Sequence, residues 1–565
     1  MSRLRLAPLA LLLTLLPACG DDDGTTSPAT GSGSGESVSA SGEPSGVEPS
    51  GTPDPTVTPD PTVTPDPTVT PDPTVTPDPT VTPDPTVTPD PTVTPDPTDP
   101  TLPDPAGATF EQHTFVAALT GPAFIEVADL NGDGRLEVIV SAIGESEGGF
   151  GGFLPGVPNG TVTIYSRGED LFDWTAEELI PAAMEINFPN QPRAADLTGN
   201  GLLDIVVPVG HPSCDATAFI GSPCGGLLWF EQTGAGWTRH DIIAPGDDLF
   251  FRDALIVDLD GDGLLDIVAV GEQFSDGGGG LPLPIPIPGG DDVSIATTMW
   301  FQGADDGQRF DPTPLVIGDG LGGFPQAMDL TGNGLLDIVS AERFIENGSF
   351  AWFEQTEPPS AEHPEGQWER HVIADDLGPA FQLVLAPGLL GDDRLFAVGT
   401  NHTNTADRPG DPESAVLLFE VPEDPRDAWP REVLSQGIVS RASPQDNPIG
   451  APGLLAVGDI TGSGYDDILV AGYGDPRVLW FEHTEPGTFV LHVLIPTLPL
   501  AGGVIIRDLN DDGQNEMLVA GQEANSVFLF VRTSSIYDET PDPTETPDPT
   551  ETPDPTETPD PTETP

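Results

Sequence analysis

Asp258-Leu-Asp-Gly-Asp-Gly-Leu-Leu-Asp266, followed by the apolar run Ile267-Val268-Ala269, decides the fold, because the chain repeats it. Related stretches start at Asp129 (DLNGDGRLEVIV), Asp196 (DLTGNGLLDIVV), Asp329 (DLTGNGLLDIVS), Asp459 (DITGSGYDDILV) and Asp508 (DLNDDGQNEMLV). A worn copy starts at Gly388 (GLLGDDRLFAV), which makes seven. A unit that recurs this often predicts a repeat architecture rather than seven separate sites.

Between residues 109 and 536 the units share one grammar. An extended segment leads into the acidic loop, and a β-branched run such as Ile205-Val206-Val207 follows. An aromatic strand comes next: Trp229-Phe230-Glu231, Trp300-Phe301-Gln302, Trp352-Phe353-Glu354 or Trp480-Phe481-Glu482. A fourth segment closes the unit, as in Trp237-Thr-Arg-His240, Trp368-Glu-Arg-His371 and Phe489-Val-Leu-His492. Alternation broken by turn residues marks strands, and no long helical period is present. Four strands in each of seven units predict an all-β, seven-bladed β-propeller. The last unit reaches Val527-Phe528-Leu529-Phe530 and lacks its fourth strand, while Phe110-Glu-Gln-His113-Thr-Phe115 at the other end has that strand's pattern. The first strand is therefore expected to complete the seventh blade and remove an exposed edge. The Trp and Phe residues read as stacking faces between blades. His240, His371 and His492 read as strand hydrogen-bonders rather than catalytic bases.

The loop spacing makes a chemical demand. Oxygen atoms at positions one, three and five converge when a Gly permits a sharp turn, with a backbone carbonyl at seven and a carboxylate at nine. Hard oxygen donors in such a loop suit Ca2+ better than Mg2+ or Zn2+. The other reading is a polar turn held by Asx hydrogen bonds. The in-register loops and the Trp-Phe-Glu strands resemble the FG-GAP/VCBS repeat family, which includes the propeller heads of integrin α subunits. That resemblance implies structural calcium and assigns ligands copy by copy. The acid-rich sets are Asp258, Asp260, Asp262 and Asp266; Asp129, Asn131, Asp133 and Glu137; and Asp508, Asn510, Asp512 and Glu516. Poorer sets are Asp196, Thr198, Asn200 and Asp204; Asp329, Thr331, Asn333 and Asp337; and Asp459, Thr461, Ser463 and Asp467. The copy at Gly388 puts Leu390 and Phe396 where ligands belong, so no metal is expected there.

The flanks are of another kind. Arg3, Arg5 and the short apolar run Leu6–Leu16 read as an export signal over residues 1–18, too short to span a bilayer. Leu16-Pro17-Ala18-Cys19 resembles a bacterial lipobox, which implies lipidation at Cys19; an ordinary cleaved signal is the alternative. By the same resemblance Gly20 after the cysteine implies the outer membrane, with the protein exposed at the cell surface. Residues 19–108 are a Pro-rich stalk in which Thr-Pro-Asp-Pro-Thr-Val repeats seven times. Two prolines in each hexamer favour polyproline II, and about 50 such residues at ~3.1 Å each reach on the order of 150 Å. Residues 537–565 carry a Thr-Pro-Asp-Pro-Thr-Glu repeat and are expected to be disordered.

Among 565 residues, 18 are Lys or Arg and 92 are Asp or Glu, for a formal charge of -74. This balance excludes nucleic-acid phosphates as partners and excludes a basic membrane-binding patch, leaving the lipid anchor as the membrane contact. Strand alternation puts the acidic loops on one face and the long insertions, Ile143–Gly160, Gly271–Asp292 and Gly399–Ser414, on the other. Loops on a rigid scaffold commonly bind partners, so an unidentified protein or polysaccharide is expected on the insertion face; neutral loop growth is the alternative. Cys214 and Cys224 are expected to form a disulfide there, and a zinc site with His211 lacks further ligands. No nucleophile elbow, paired-His motif or phosphate loop is present in the sequence. The expected function is a calcium-binding recognition or adhesion module. A carbohydrate-active enzyme, lyase-like and using the insertion face, is the alternative, and a purely structural surface component is a third reading.

Overall fold

A computed structural model describes residues 107–144, 159–211, 224–273, 295–305, 309–343, 348–403, 412–438 and 450–537. They form seven antiparallel four-stranded sheets, one for each sequence unit. In the first blade the strands are Pro122–Ala128, Glu137–Ala142, Thr161–Arg167 and Trp174–Ile180. The first strands of neighbouring blades face one another, and Ala501–Arg507 of the seventh blade meets Pro122–Ala128 of the first. Gly502 makes that seam possible: a Cβ there would lie 2.5 Å from the Ala123 carbonyl oxygen.

The ring closes as the sequence predicts. Ala108–Ala117 pairs antiparallel with Ser526–Ser535 and is the outer strand of the seventh blade. The head begins slightly before the predicted residue 109, and Tyr537, just past 536, is docked on it.

The core is a set of layers between blades. Adjacent residues of a strand point to opposite sheet faces, so each Trp-Phe pair serves two layers. Trp352 packs with Leu383, Ala397 and Phe419 of the fifth blade. Its neighbour Phe353 packs with Val268 and Trp300 of the third. Trp480 and Phe481 divide in the same way between the seventh and fifth blades. The aromatic pair is thus a blade spacer, as read from the sequence. The first, third and fifth blades supply their fourth strands from Trp174–Ile180, Leu315–Asp319 and Arg431–Gln436, none of which has the Trp-x-x-His pattern.

The two ends of the head are clasped together. The Gly107 N–H donates to both carboxylate oxygens of Glu482, at 3.1 and 2.9 Å, and the Tyr537 hydroxyl donates to the same group at 3.2 Å. The Ile536 N–H donates to the Gly107 carbonyl at 2.8 Å. Glu482 is 2% exposed, so its removal strands several buried donors. Glu482→Ala is expected to lower head stability by on the order of 2–3 kcal/mol, read as a fall in the denaturant midpoint at unchanged slope. A midpoint equal to the parent's would show that the clasp contributes nothing.

Residues 1–106 and 538–565 lie outside the described residues, and with them the export signal, Cys19, the stalk and the tail. Among the described residues no helix is long and apolar enough to cross a membrane.

Candidate functional site: the acidic loops and the opposite face

All six complete acidic loops join the first and second strands of a blade and adopt one geometry. The position-one carboxylate, Asp129, Asp196, Asp258, Asp329, Asp459 or Asp508, accepts the N–H of the position-six glycine at 2.8–3.0 Å. That glycine has φ between 83° and 90° in every copy, a region an L side chain enters only with strain. The last loop also holds a non-glycine residue in this region, Asp511 at φ 62°.

Position nine does something the spacing did not reveal. Glu137, Asp204, Asp266, Asp337, Asp467 and Glu516 are only 0–3% exposed. Each accepts the N–H of the residue after position one, at 2.8–3.0 Å. Four also accept an N–H from the end of the third strand or just after it: Asp204 from Gln232, Asp266 from Gly303, Asp337 from Gln355 and Asp467 from His483, at 2.7–3.0 Å. These carboxylates staple the acidic loop to the neighbouring hairpin. Burial pushes Asp266 and Asp337 up to about 6, and Asp467 and Glu516 up to about 7, because their charged forms are poorly solvated.

Positions three and five distinguish the loops. In the third blade carboxylate oxygens of Asp258, Asp260 and Asp262 all lie within 4.8 Å of one another. Burial and then the neighbouring Asp262 and Asp258 charges hold Asp260 above the usual carboxylate range. An all-oxygen, mutually repelling set fits a hard divalent cation. In the fourth blade the position-three Thr331 hydroxyl is buried without a hydrogen-bond partner. Asx hydrogen bonds are also present: the Asp133 N–H donates to Asn131 at 2.9 Å, and the Leu202 and Leu335 N–H groups donate to Asn200 and Asn333 at 2.7 Å. The Asx hydrogen bonds of the polar-turn reading are therefore part of these loops. The fifth blade replaces the loop with a tight turn, in which the Gly391 N–H donates to Gly388 at 2.8 Å and Arg394 pairs with Asp392 and Glu420 at 2.7 and 3.1 Å.

The recurring histidines pair with the glutamate of the aromatic strand. His240 meets Glu231, His371 meets Glu354 and His492 meets Glu482, at 3.0, 3.0 and 2.8 Å. Each also packs on the preceding Trp, with ring centroids 4.3–4.7 Å apart. Glu354 additionally bonds Arg426 of the fifth blade, which consumes its charge in joining blades. Glu354, Glu369 and His371 lie close enough to hold an ion, but this arginine makes the cluster a structural junction.

The opposite face was read only as a set of insertions. Its described centre is assembled from all seven blades. Phe124, Phe188, Phe324 and Phe381 form an apolar cluster. His211 stacks on Phe188 and His402 on Phe381, at 4.4 and 4.5 Å. Arg252 and Arg343 each place a guanidinium 5.9 Å from the Phe381 ring centroid. Burial and then the two guanidiniums push His211 down to about 3, so it is neutral. A cavity of about 30 Å3 opens between Arg252, His211, Tyr473 and Gln522. None of these residues belongs to a linear motif, so nothing in the sequence marked them together. Cys224 is buried and disulfide-bonded, whereas Cys214 lies outside the described residues. The insertions at 145–158, 274–294 and 404–411 lie outside them too.

Residues 459–519, from the sixth acidic loop to the second strand of the seventh blade, match the FG-GAP-like repeat. The chain is a seven-bladed propeller with an FG-GAP-like repeat at residues 459–519. No curated protein matched the chain. Among solved structures, Penicillium chrysogenum alpha-L-arabinanase complexed with arabinobiose is similar over 75% of this chain and 99% of that one, at 12% identity and a TM-score of 0.37. A likeness at that level carries no argument about what this propeller binds.

Proposed function

We propose that this propeller is a calcium-stabilised recognition head, exported and held by a lipid anchor on Cys19, which binds a glycan on its insertion face. One observation carries the reading. Gly107 and Tyr537, at the two ends of the described head, meet on Glu482 at the acidic-loop end of the blades, so that end is occupied by the head's own clasp. The insertion face lies at the opposite end of the blades, and it is where all seven blades bring polar and aromatic side chains together. Loop faces on a rigid scaffold are suited to recognition. The acidic loops supply rigidity rather than contacts with the partner.

The test is retention of the full chain, with calcium, on a panel of immobilised neutral and acidic polysaccharides, with soluble products assayed from the same samples. Retention without product is expected. New reducing ends or unsaturated products would make the head an enzyme. Absence of both on every polysaccharide would overturn glycan recognition.

A further inference from the structure

Each blade's second strand runs from its acidic loop to the insertion face, so the residues just past that strand arrive at the centre of the face. Ile143 follows Glu137–Ala142 in the first blade, and Gln522 follows Glu516–Gly521 in the seventh. His211 and Tyr473 stand just past Asp204–Val209 and Asp467–Ala471. All four line the cavity of about 30 Å3. With Ile143, the side chains of Ala123, Phe124 and Leu454 give it an apolar wall. Its polar end is Gln522, which is 8% exposed and whose Oε1 has no hydrogen-bond partner. The other end of that amide hydrogen-bonds Tyr473. Asn190, on the same lining, is committed: its Nδ2 donates to the Gly210 and Phe251 carbonyls, at 2.8 Å each. A buried acceptor without a donor carries a desolvation cost that a ligand's donor removes.

Size and charge narrow that donor. One water fills roughly 10–15 Å3 of such space, so the cavity takes about two non-hydrogen atoms. A cation does not fit: Arg252 lines the same cavity, and burial, then the Arg252 and Arg343 charges, push His211 down to about 3. A carboxylate has no proton to give at neutral pH and would set acceptor against acceptor at Gln522. One carbon and one hydroxyl meet every requirement, with the carbon on the apolar wall and the oxygen donating to Gln522.

We infer that the centre of the insertion face reads the exocyclic hydroxymethyl group of a neutral hexose, whose primary hydroxyl enters the cavity and donates to Gln522. A ring hydroxyl stands one carbon closer to the ring, which meets the cavity mouth before that hydroxyl reaches the amide. A serine side chain is also a hydroxymethyl, but it hangs from a peptide backbone whose N–H and C=O groups would lie unpaired against Phe124, Ile143 and Leu454. A pyranose turns C–H groups to such a wall. This deepens the glycan-recognition reading and rests on it.

The full chain, with calcium, is titrated with cellohexaose, mannohexaose and xylohexaose. All three are β-1,4-linked; every residue of the first two carries a free hydroxymethyl, and xylohexaose has none. Cellohexaose oxidised to a carboxylate at each hydroxymethyl and a Ser-Gly repeat peptide complete the set. At least one hexose oligomer is expected to bind about tenfold tighter than xylohexaose, the oxidised oligomer and the peptide, the factor set by one buried hydrogen bond. Gln522→Leu is expected to abolish that advantage while the melting temperature stays near the parent's; if it fails to fold, the ratio of hexose to xylose oligomer on the parent carries the test. Equal binding of xylohexaose would overturn the hydroxymethyl pocket and leave glycan recognition standing. Equal or tighter binding of the oxidised oligomer would overturn the acceptor role of Gln522. Tightest binding of the peptide would make the partner a protein. An advantage that survives Gln522→Leu would place the ligand elsewhere. Failure of all the hexose oligomers with retention on another polysaccharide would overturn the pocket alone, and failure of every polysaccharide would remove both readings.

Discussion

A chain lacking residues 108–117 is expected to lose its folded head. Removing that strand frees the whole length of Ser526–Ser535, whose register runs from Ala108↔Ser535 to Ala117↔Ser526. An unpaired edge of this length invites aggregation. The aromatic losses add to it. Phe110 packs edge-on against Trp480 at 5.4 Å, and Phe115 against Tyr165 and Trp174 at 5.4 and 5.0 Å. The strand therefore also joins the seventh blade to the sixth and the first. Losing a fully buried Phe costs about 3–5 kcal/mol; Phe110 and Phe115 are partly buried, so together they remove less than twice that, still a large share of the roughly 5–15 kcal/mol that hold a typical domain folded. Size-exclusion elution and a melting curve give the readout: an aggregate or an expanded species is expected. A soluble monomer melting with the parent would show that the closing strand is dispensable. Because the strand pairs with residues more than 400 positions later, as in Thr109 with Ser534 at a separation of 425, closure waits for nearly the whole head to be made.

The sequence made the architecture legible because each physical requirement recurs in the chain. Trp-Phe pairs mark strands that face two neighbouring blades, and the displaced Phe110–Phe115 pattern marks the closing strand. The acidic loops show why legibility stops short of the site. Positions one and nine are acidic in all six complete copies, and the structure makes both of them backbone acceptors. Positions three and five vary, from Asp260 and Asp262 to Thr461 and Ser463, and it is there that the loops differ in the oxygen atoms they would offer the proposed Ca2+. Repetition therefore marked what the fold needs. The centre of the insertion face is the converse. Arg252, Arg343, Tyr473 and Gln522 each occur once, on different blades, and only ring closure brings them together. A linear pattern contains no trace of that convergence. Leu315–Asp319 escaped notice for a related reason: as an outer strand it needs only backbone pairing with Ile295–Phe301, and carries no aromatic signature.

Chelation is expected to destabilise the head strongly. The carboxylates of Asp258, Asp260 and Asp262 converge, and burial holds Asp260 and Asp266 above the usual carboxylate range, so the folded loop concentrates charge that water solvates poorly. The proposed Ca2+ would offset this in the folded state, whereas the unfolded chain separates the charges without help. One site at ~100 times its Kd adds about 2.7 kcal/mol, and three acid-rich loops acting independently add roughly 8. With an unfolding entropy near 2.1 cal/mol/K per residue, a head spanning residues 108–537 would melt on the order of 10 °C lower in EDTA than in millimolar Ca2+. Substitutions separate a bound ion from a general salt effect. Asp260→Asn removes a position-three carboxylate that serves no staple, so it is expected to shrink the calcium-dependent shift by about a third. Asp392→Asn, in the fifth blade's turn, alters a comparably exposed acid beside Arg394 and is expected to leave the shift intact. Coincident melting curves in EDTA and Ca2+ would instead assign all six loops to their Asx hydrogen bonds and position-nine staples, which already satisfy the backbone of each turn.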